Sequence, residues 1–319
     1  MKARINTQQQ IKQRLVQQGF TLIELLIALG IGILLMSSVL MIMVSAMQSG
    51  RVSDAETAMN EEGLIVLNLL QQQIRLAGYA NTVTDTGTIT KNFTGTSIRG
   101  CDKGFADAGV AFDSLTCNTT GNDNAAIAIR YEADLQNTTP VGTSPAFTAS
   151  NCQLNGITAN TPSAVTGSSD FSLADNRYFA RTSGTDSGRP ELSCRGAINA
   201  TTYDVVQPLI ENVEQLKFIY GITRTNDAAD MQIVTYKTAS EIDSDFSGEA
   251  MADRWRRVAS VKICVLMRSV EPARDNSISG QSYKDCDGTT QTSTDGYLRR
   301  AYITTAQLRN KASVPLEKR

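Results

Sequence analysis

The sequence predicts an α+β protein in which one long N-terminal helix packs on an antiparallel β-sheet head with long, disulfide-stapled loops. Residues 25–47 carry no charge, and no proline occurs before Pro140. From about Tyr79 the composition changes to Thr, Ser, Asn, Asp and Gly around short strand-like runs. An uninterrupted helix followed by strands with short links is typical of a sheet whose helix is segregated to one side.

The first 19 residues form a basic leader. They include Lys2, Arg4, Lys12 and Arg14 and no acidic residue. Basic segments stay on the cytoplasmic side, so the N-terminus is expected inside and the chain after about Met47 outside. Without these four cations the chain keeps 26 of its 30 basic residues against 32 acidic ones, a net charge of −6. That charge favours an exported head and argues against nucleic acid as a partner.

The helix is expected from Phe20 to about Ala77, and its first half, residues 20–47, is apolar on all sides. The 23 uncharged residues 25–47 would cover about 34 Å as a helix, enough to span a bilayer core. Glu24 is the one charged side chain in this half. A charged side chain in a membrane-spanning segment costs on the order of 3 kcal/mol or more. A segment that served only as a membrane anchor would not need such a charge. Glu24 is therefore predicted to have a function.

The second half of the helix, residues 48–78, is amphipathic. Its apolar side chains recur mostly at steps of three and four residues, which predicts a stripe that packs on the head. The stripe consists of Val52, Ala55, Met59, Val66, Leu67, Leu70, Ile74 and Ala77. Gly78 is in a suitable position to end the helix.

The clearest strands come late in the chain. Alternating or mixed apolar runs predict strands at residues 215–222, 231–236, 258–268 and 297–308. Residues 79–100 and 133–188 have few apolar runs and are expected to form loops joined by short strands. The strands predict an antiparallel sheet that receives the helix, and residues 79–319 form the head.

Six cysteines all lie in the exported part and are predicted to form disulfides. They are Cys101, Cys117, Cys152, Cys194, Cys264 and Cys286. An even number in an oxidising compartment favours disulfides, although six cysteines allow 15 connectivities. The expected pairing joins sequence neighbours, and the alternative is a pair of free buried thiols.

The composition argues against catalysis. The chain has no histidine, which removes Ser-His-Asp and Cys-His constellations and the commonest metal ligand. No Cys-x-x-Cys spacing indicates structural zinc, and neither a metal nor a cofactor is expected. An exported enzyme would need paired carboxylates or a Ser-Lys arrangement, and no spacing singles one out.

Two further segments are candidate sites. Asp243 opens a run that resembles a calcium loop, but Arg254 stands where a bidentate glutamate is needed, which favours a solvated acidic loop. Trp255 lies among Arg254, Arg256 and Arg257. This cluster is interpreted as part of a subunit interface rather than a DNA contact, with a partly buried strand entry as the alternative.

The start of the helix resembles a known family. QQGFTLIELLIALGIGILL is similar to the class III signal of type IV prepilins and type II secretion pseudopilins. The resemblance implies a type IV pilin-like fold, cleavage by prepilin peptidase between Gly19 and Phe20, and N-methylation of Phe20. Residues 1–19 would then be the removed leader. Glu24 would neutralise the amine of Phe20 in a neighbouring subunit or in its own chain, and the alternative is a glutamate that snorkels to the headgroups.

Later segments narrow the resemblance to minor pilins of the PilW type. They are RLAGY at residues 75–79, ENVEQLKFIYGI at 211–222, VASVKICVLMRS at 258–269 and RRAYITTAQLRN at 299–310. The resemblance implies a subunit that is not an enzyme and that primes or caps type IV pilus assembly near the fibre tip. It would sit in the inner membrane with its head in the periplasm and then in the surface fibre.

The implied partners are prepilin peptidase, other minor pilins, the major pilin, the inner-membrane assembly platform and a tip adhesin. Two alternatives stay open. One is a J-type minor pseudopilin of a type II secretion system, which has a similarly large head. The other is a pilus-borne adhesin or binding module, which the long loops would suit.

Overall fold

A computed structural model describes residues 19–85, 88–121, 124–159, 170–182, 188–273 and 280–311. The chain divides into two compact units with the boundary after Arg51. Helix α1, Leu22–Leu76, contributes to both units. The expected helix, residues 20–77, is confirmed to within two residues at each end.

In the first unit, all of residues 19–50 are exposed except for Gly32, which is half-buried. By length and composition, α1 could cross a membrane. The second unit contains the rest of the helix and the whole head.

The end of α1 follows from Gly78, which adopts φ +73°. That left-handed conformation suits a residue without Cβ and closes the helix. The Gly78 N–H donates to the Arg130 carbonyl at 2.9 Å, which ties the helix end to the head.

Two antiparallel sheets make up most of the head. The first has the order β3-β4-β7-β8-β9, and the second β11-β10-β12-β15. The first sheet consists of β3 (Ile98–Cys101), β4 (Ala126–Ala133), β7 (Ser172–Thr182), β8 (Pro190–Gly196) and β9 (Gln207–Glu211). The second consists of β10 (Val213–Thr223), β11 (Ile233–Lys237), β12 (Val258–Arg268) and β15 (Arg299–Gln307).

Smaller elements complete the head. Three hairpins are β1–β2 (Thr82–Asp85 and Thr88–Lys91), β5–β6 (Val141–Thr143 and Ala146–Thr148) and β13–β14 (Gln281–Lys284 and Thr290–Ser293). Two short helices, α2 (Ala239–Asp245) and α3 (Met251–Arg256), join β11 to β12, and a 3₁₀ turn covers Phe112–Ser114.

One apolar core is shared by the helix and both sheets. The helix contributes Val66, Leu70 and Ile74, which are fully buried. They belong to the same cluster as Ile127 and Tyr131 of the first sheet and Phe218, Ile263 and Val265 of the second. The predicted stripe is confirmed from Met59 onward, where burial is 98% or more except at Leu67. Val52 and Ala55 are only half-buried.

The second sheet matches the sequence-based expectation, and the first does not. All four predicted late strands are present, and β12 covers the predicted residues 258–268. The expectation of loops for residues 133–188 is wrong over residues 172–182. There β7 is an 11-residue strand at the centre of the first sheet.

The three disulfides join sequence neighbours, so the expected pairing is confirmed. They are Cys101–Cys117, Cys152–Cys194 and Cys264–Cys286. The first links β3 to the segment before β4, the second links a loop to β8, and the third links β12 to the β13–β14 hairpin. The six cysteines are therefore all used as staples.

Candidate assembly site at the start of the long helix

The first turn of α1 is organised by reciprocal hydrogen bonds between Thr21 and Glu24. The Thr21 N–H and hydroxyl each donate to Glu24 Oε2 at 3.0 Å. The Glu24 N–H donates to Thr21 Oγ1 at 3.3 Å. This is a capping box, in which the residue before the helix and the third helical residue satisfy each other's orphan N–H groups. The same arrangement starts α2, with Thr238 and Glu241.

The capping box gives Glu24 a role in its own chain that does not require a charge. A Thr-x-x-Glu pattern before an apolar run is visible in the sequence as TLIE at residues 21–24. Thr21 was missed as a functional residue, although this pattern could have identified it.

Among the described residues, the charge of Glu24 has no counter-ion near it. In the parts of the chain that the structure describes, Glu24 forms no ion pair. The nearest charged residue along the described helix is Arg51, 27 residues away. One carboxylate oxygen accepts from Thr21, and the remaining acceptor capacity is open to another donor.

Gly19 and Phe20 precede the helix and are both exposed. Neither is helical, and the Phe20 side chain is 87% exposed. The Gly19–Phe20 peptide bond therefore lies in non-helical chain just before the cap. The rest of the predicted leader, residues 1–18, lies outside the described residues.

The second part of α1 is fixed to the head by polar contacts on its β15 side. The Tyr302 hydroxyl donates to Asn60 Oδ1 at 2.6 Å, and Arg300 donates to the same oxygen at 3.0 Å. Gly63 lets the Tyr302 ring approach, because a Cβ there would lie 2.7 Å from ring atom Cδ2. Burial raises the pKa of Glu62 on this part of the helix, with the Glu211 carboxylate adding to the effect.

The Asp243 segment is not a solvated acidic loop. Asp243 lies in α2, and its Oδ1 accepts a hydrogen bond from the Trp255 indole at 3.2 Å. The Arg254 guanidinium lies 3.6 Å from the same oxygen. The carboxylate is held by Trp255 and Arg254, so the loop interpretation is wrong. Among the described residues, no group of three or more His, Cys, Asp or Glu side chains could hold a metal ion.

Trp255 does not provide a surface for a neighbouring subunit. Its side chain is 1% exposed and lies in α3, where it packs edge-on against Tyr220 with 5.0 Å between ring centroids. The interpretation as a subunit interface is wrong because the ring fills the head's own core. The alternative, a strand entry with a partly buried Trp, agrees better with the structure, because α3 leads directly into β12, although Trp255 is fully buried.

Two families match the chain. Residues 177–310 match the family described as Type IV Pilus-assembly protein W. Residues 14–40 match the prokaryotic N-terminal methylation motif. No curated protein and no solved structure matches.

The two matched regions correspond to distinct structural parts. The methylation motif contains the Gly19–Phe20 bond, the capping box and the apolar start of α1 with its one charged residue, Glu24. The other match runs from within β7 to the residues after β15, and so includes the whole second sheet. Together with the α+β fold, these matches support a type IV pilus minor pilin of the PilW type.

Proposed function

We propose that this pilin is processed by prepilin peptidase between Gly19 and Phe20 and then primes or caps the type IV pilus near its tip. Residues 1–19 are the removed leader, residues 20–47 the membrane and fibre-core half of the helix, and residues 48–78 the half that carries the head. The N-terminus is cytoplasmic and the head, residues 79–319, is periplasmic before assembly. The role is structural, without a reaction of its own.

The lone carboxylate of Glu24 is the observation that carries this proposal. In an apolar surrounding, an unpaired carboxylate is strongly disfavoured, whereas a paired ammonium and carboxylate are tolerated. Cleavage at Gly19 creates an ammonium on Phe20, and Glu24 keeps acceptor capacity beyond its bonds to Thr21. The ammonium of a neighbouring subunit supplies the missing charge. Subunits that enter out of register leave both charges unpaired, so the pair selects one register.

The partners follow from this role. Prepilin peptidase acts first, and other minor pilins and the inner-membrane assembly platform form the initiating complex. The major pilin then extends the fibre, and a tip adhesin is the expected partner on the exposed end. The size of the head, about 240 residues after the helix, suits a terminal position better than repeated stacking in the shaft.

A deletion strain tests whether the subunit belongs to a type IV pilus or to a type II secretion system. Surface pili are counted by electron microscopy, and secretion of a type II substrate is measured in the same cultures. The proposal predicts few or no pili with normal secretion, restored by the wild-type gene on a plasmid. Intact pili with failed secretion would contradict it and would assign the chain to the type II secretion machine.

A further inference from the structure

A small pocket of about 80 Å³ lies in the head at the C-terminal end of α1. Its walls include Gly78, residues 91 and 93–97, the end of α3 and the last two described residues, Asn310 and Lys311. It is large enough for one small polar group and too small for a nucleotide or a sugar chain.

Three of the residues that line this pocket have cationic side chains. They are Lys91, Arg256 and Lys311. They come from separate parts of the chain and converge in a protein whose net charge is −2. Convergence of cations in a partly enclosed space raises the local positive potential and attracts anions.

Lys311 is half-buried and forms no ion pair among the described residues. Its ammonium donates to Thr223 Oγ1 at 2.9 Å and to the Asp230 backbone carbonyl at 2.7 Å. An ammonium has three donors, so one is left for a ligand. Burial lowers the pKa of Lys311 to about 8. Its surroundings thus compensate the charge only in part.

The other charged groups around Lys311 are largely engaged elsewhere. The Asp230 carboxylate accepts from Thr225 and Gln232, and it raises the pKa of Lys311 only in part, together with Asp227. Arg257, which opposes the charge of Lys311, is paired with Glu249.

Arg256 and the hydroxyl groups complete the lining. Arg256 forms a surface ion pair with Asp253 at 2.8 Å through one nitrogen and keeps other N–H groups for a second acceptor. Thr94, Thr96 and Ser97, which each carry a hydroxyl, also line the pocket. Within the described residues, none of these three hydroxyls forms a hydrogen bond. The lining therefore offers charged and neutral donors to one acceptor group.

We propose that this pocket binds a small oxyanion, a phosphate or a single carboxylate group, through Lys311 and Arg256 with the Thr and Ser hydroxyls as additional donors. The anion supplies the acceptors that these donors lack and offsets the unfavourable burial of the Lys311 ammonium. A free phosphate ion and an acidic side chain of a partner subunit share this chemistry.

The test uses the full chain in detergent with inorganic phosphate or acetate replacing chloride at constant ionic strength. Trp255 borders the pocket and is the only tryptophan, so its fluorescence reports occupancy. The shift of the unfolding midpoint is measured in parallel, since a ligand that binds only the folded state stabilises it. A saturable response to phosphate alone indicates a free phosphate, and a response to acetate indicates a protein carboxylate. Either result supports the site.

Variants distinguish the site from general salt effects. Lys311→Met is expected to weaken binding about tenfold or more, because a charge-assisted hydrogen bond is lost. Arg256→Gln, on the half-exposed rim, is expected to weaken it less. Lys262→Met is the matched control, because Lys262 is exposed on β12 and does not line the pocket. In the wild type, affinity should fall as the pH rises through about 8 and Lys311 loses its proton.

Two results would overturn the proposal. One is the absence of a saturable response to both anions in fluorescence and in the unfolding midpoint. The other is unchanged affinity in both Lys311→Met and Arg256→Gln. The Arg256 variant keeps the test decisive if Lys311→Met lowers the stability of the head.

Discussion

The two parts of the long helix, residues 22–50 and residues 52–76, are built for different surroundings. The first part has no buried side chain and one charged residue, Glu24. The second part buries six residues against the head. Most helical stability in proteins comes from packing of an apolar face, so the second part is stabilised by the head. The sequence of the first part is suited to lipid or to other apolar helices, which the isolated chain does not provide.

Replacing one leucine by alanine in each part of the helix should give the largest difference in the free energy of unfolding between the two parts. Leu70 is fully buried, and Leu70→Ala is expected to lower the free energy of unfolding of the head by about 2–5 kcal/mol. Leu34 is 69% exposed, and Leu34→Ala should change it by about 0.5 kcal/mol or less. Both are measured by denaturant unfolding of the full chain in detergent, followed by Trp255 fluorescence. Equal losses would show that the two parts are not energetically distinct.

Glycine substitutions sharpen the same comparison at a smaller scale. Gly63→Ala places a Cβ 2.7 Å from the Tyr302 ring. Overpacking of this kind destabilises a protein by about 1–3 kcal/mol, and the better helix propensity of alanine offsets up to about 1 kcal/mol of that loss. Gly50→Ala meets no atom within 4 Å and should not destabilise the head. The same unfolding measurement checks both variants. A stabilised Gly63→Ala protein would mean that the Tyr302 ring moves away without loss.

The smallest expected effect is the contribution of Glu62, in the second part of the helix, to the pH dependence of the stability of the head. Burial raises the pKa of Glu62 above 4.5 in the folded chain, so the folded state holds this proton more tightly than the unfolded state. The contribution of protonated Glu62 is therefore present at low pH and is lost as the pH rises from about 4.5 to the folded pKa. Because Glu62 is only partly buried, solvent screening limits the effect to about 1 kcal/mol or less.

Glu62→Gln should remove this pH dependence and slightly stabilise the head at pH 7. Glu61→Gln, at the exposed neighbouring position, is the matched control. Unfolding midpoints between pH 4 and pH 7 compare the variants. A wild-type slope that persists unchanged in Glu62→Gln would assign the pH dependence to another group.

The helix, the second sheet and the disulfide pairs could be predicted because their signals are local. A 3.6-residue stripe, alternating apolar strands and short cysteine separations do not depend on distant partners. The first sheet could not be predicted, because its central strand β7 contains Asp175, Asn176 and Arg177, all buried. Arg177 and Asp175 form a buried ion pair at 3.0 Å, and Asn176 bonds to Tyr131. In the sequence these three residues are simply polar, which argues against a buried strand. The groups that satisfy their hydrogen bonds come together only in the fold.

The candidate site likewise contains residues that the sequence identified and residues that only the structure revealed. Gly19, Phe20 and Glu24 were selected from the sequence alone, and the structure adds Thr21 as the partner that caps the helix with Glu24. Trp255 was misassigned because a tryptophan among arginines has the composition of an interface, while its burial depends on contacts with Tyr220 and Asp243. The lining of the small pocket comes from distant segments, and no sequence pattern joins them.

The most direct measurement separates the two roles of Glu24. Glu24→Gln keeps a side chain that can complete the capping box but removes the charge, whereas Glu24→Val removes both. Thr21→Ala keeps the charge and removes the cap. The fraction of each subunit in sheared pili is measured, and mass spectrometry of the N-terminus follows cleavage at Gly19 and methylation of Phe20.

If the charge of Glu24 selects the register of assembly, all three variants are cleaved normally and only Thr21→Ala is incorporated. Incorporation of Glu24→Gln at the wild-type level, with Glu24→Val excluded, would show that Glu24 acts through its helix cap and would contradict the proposed charge pairing.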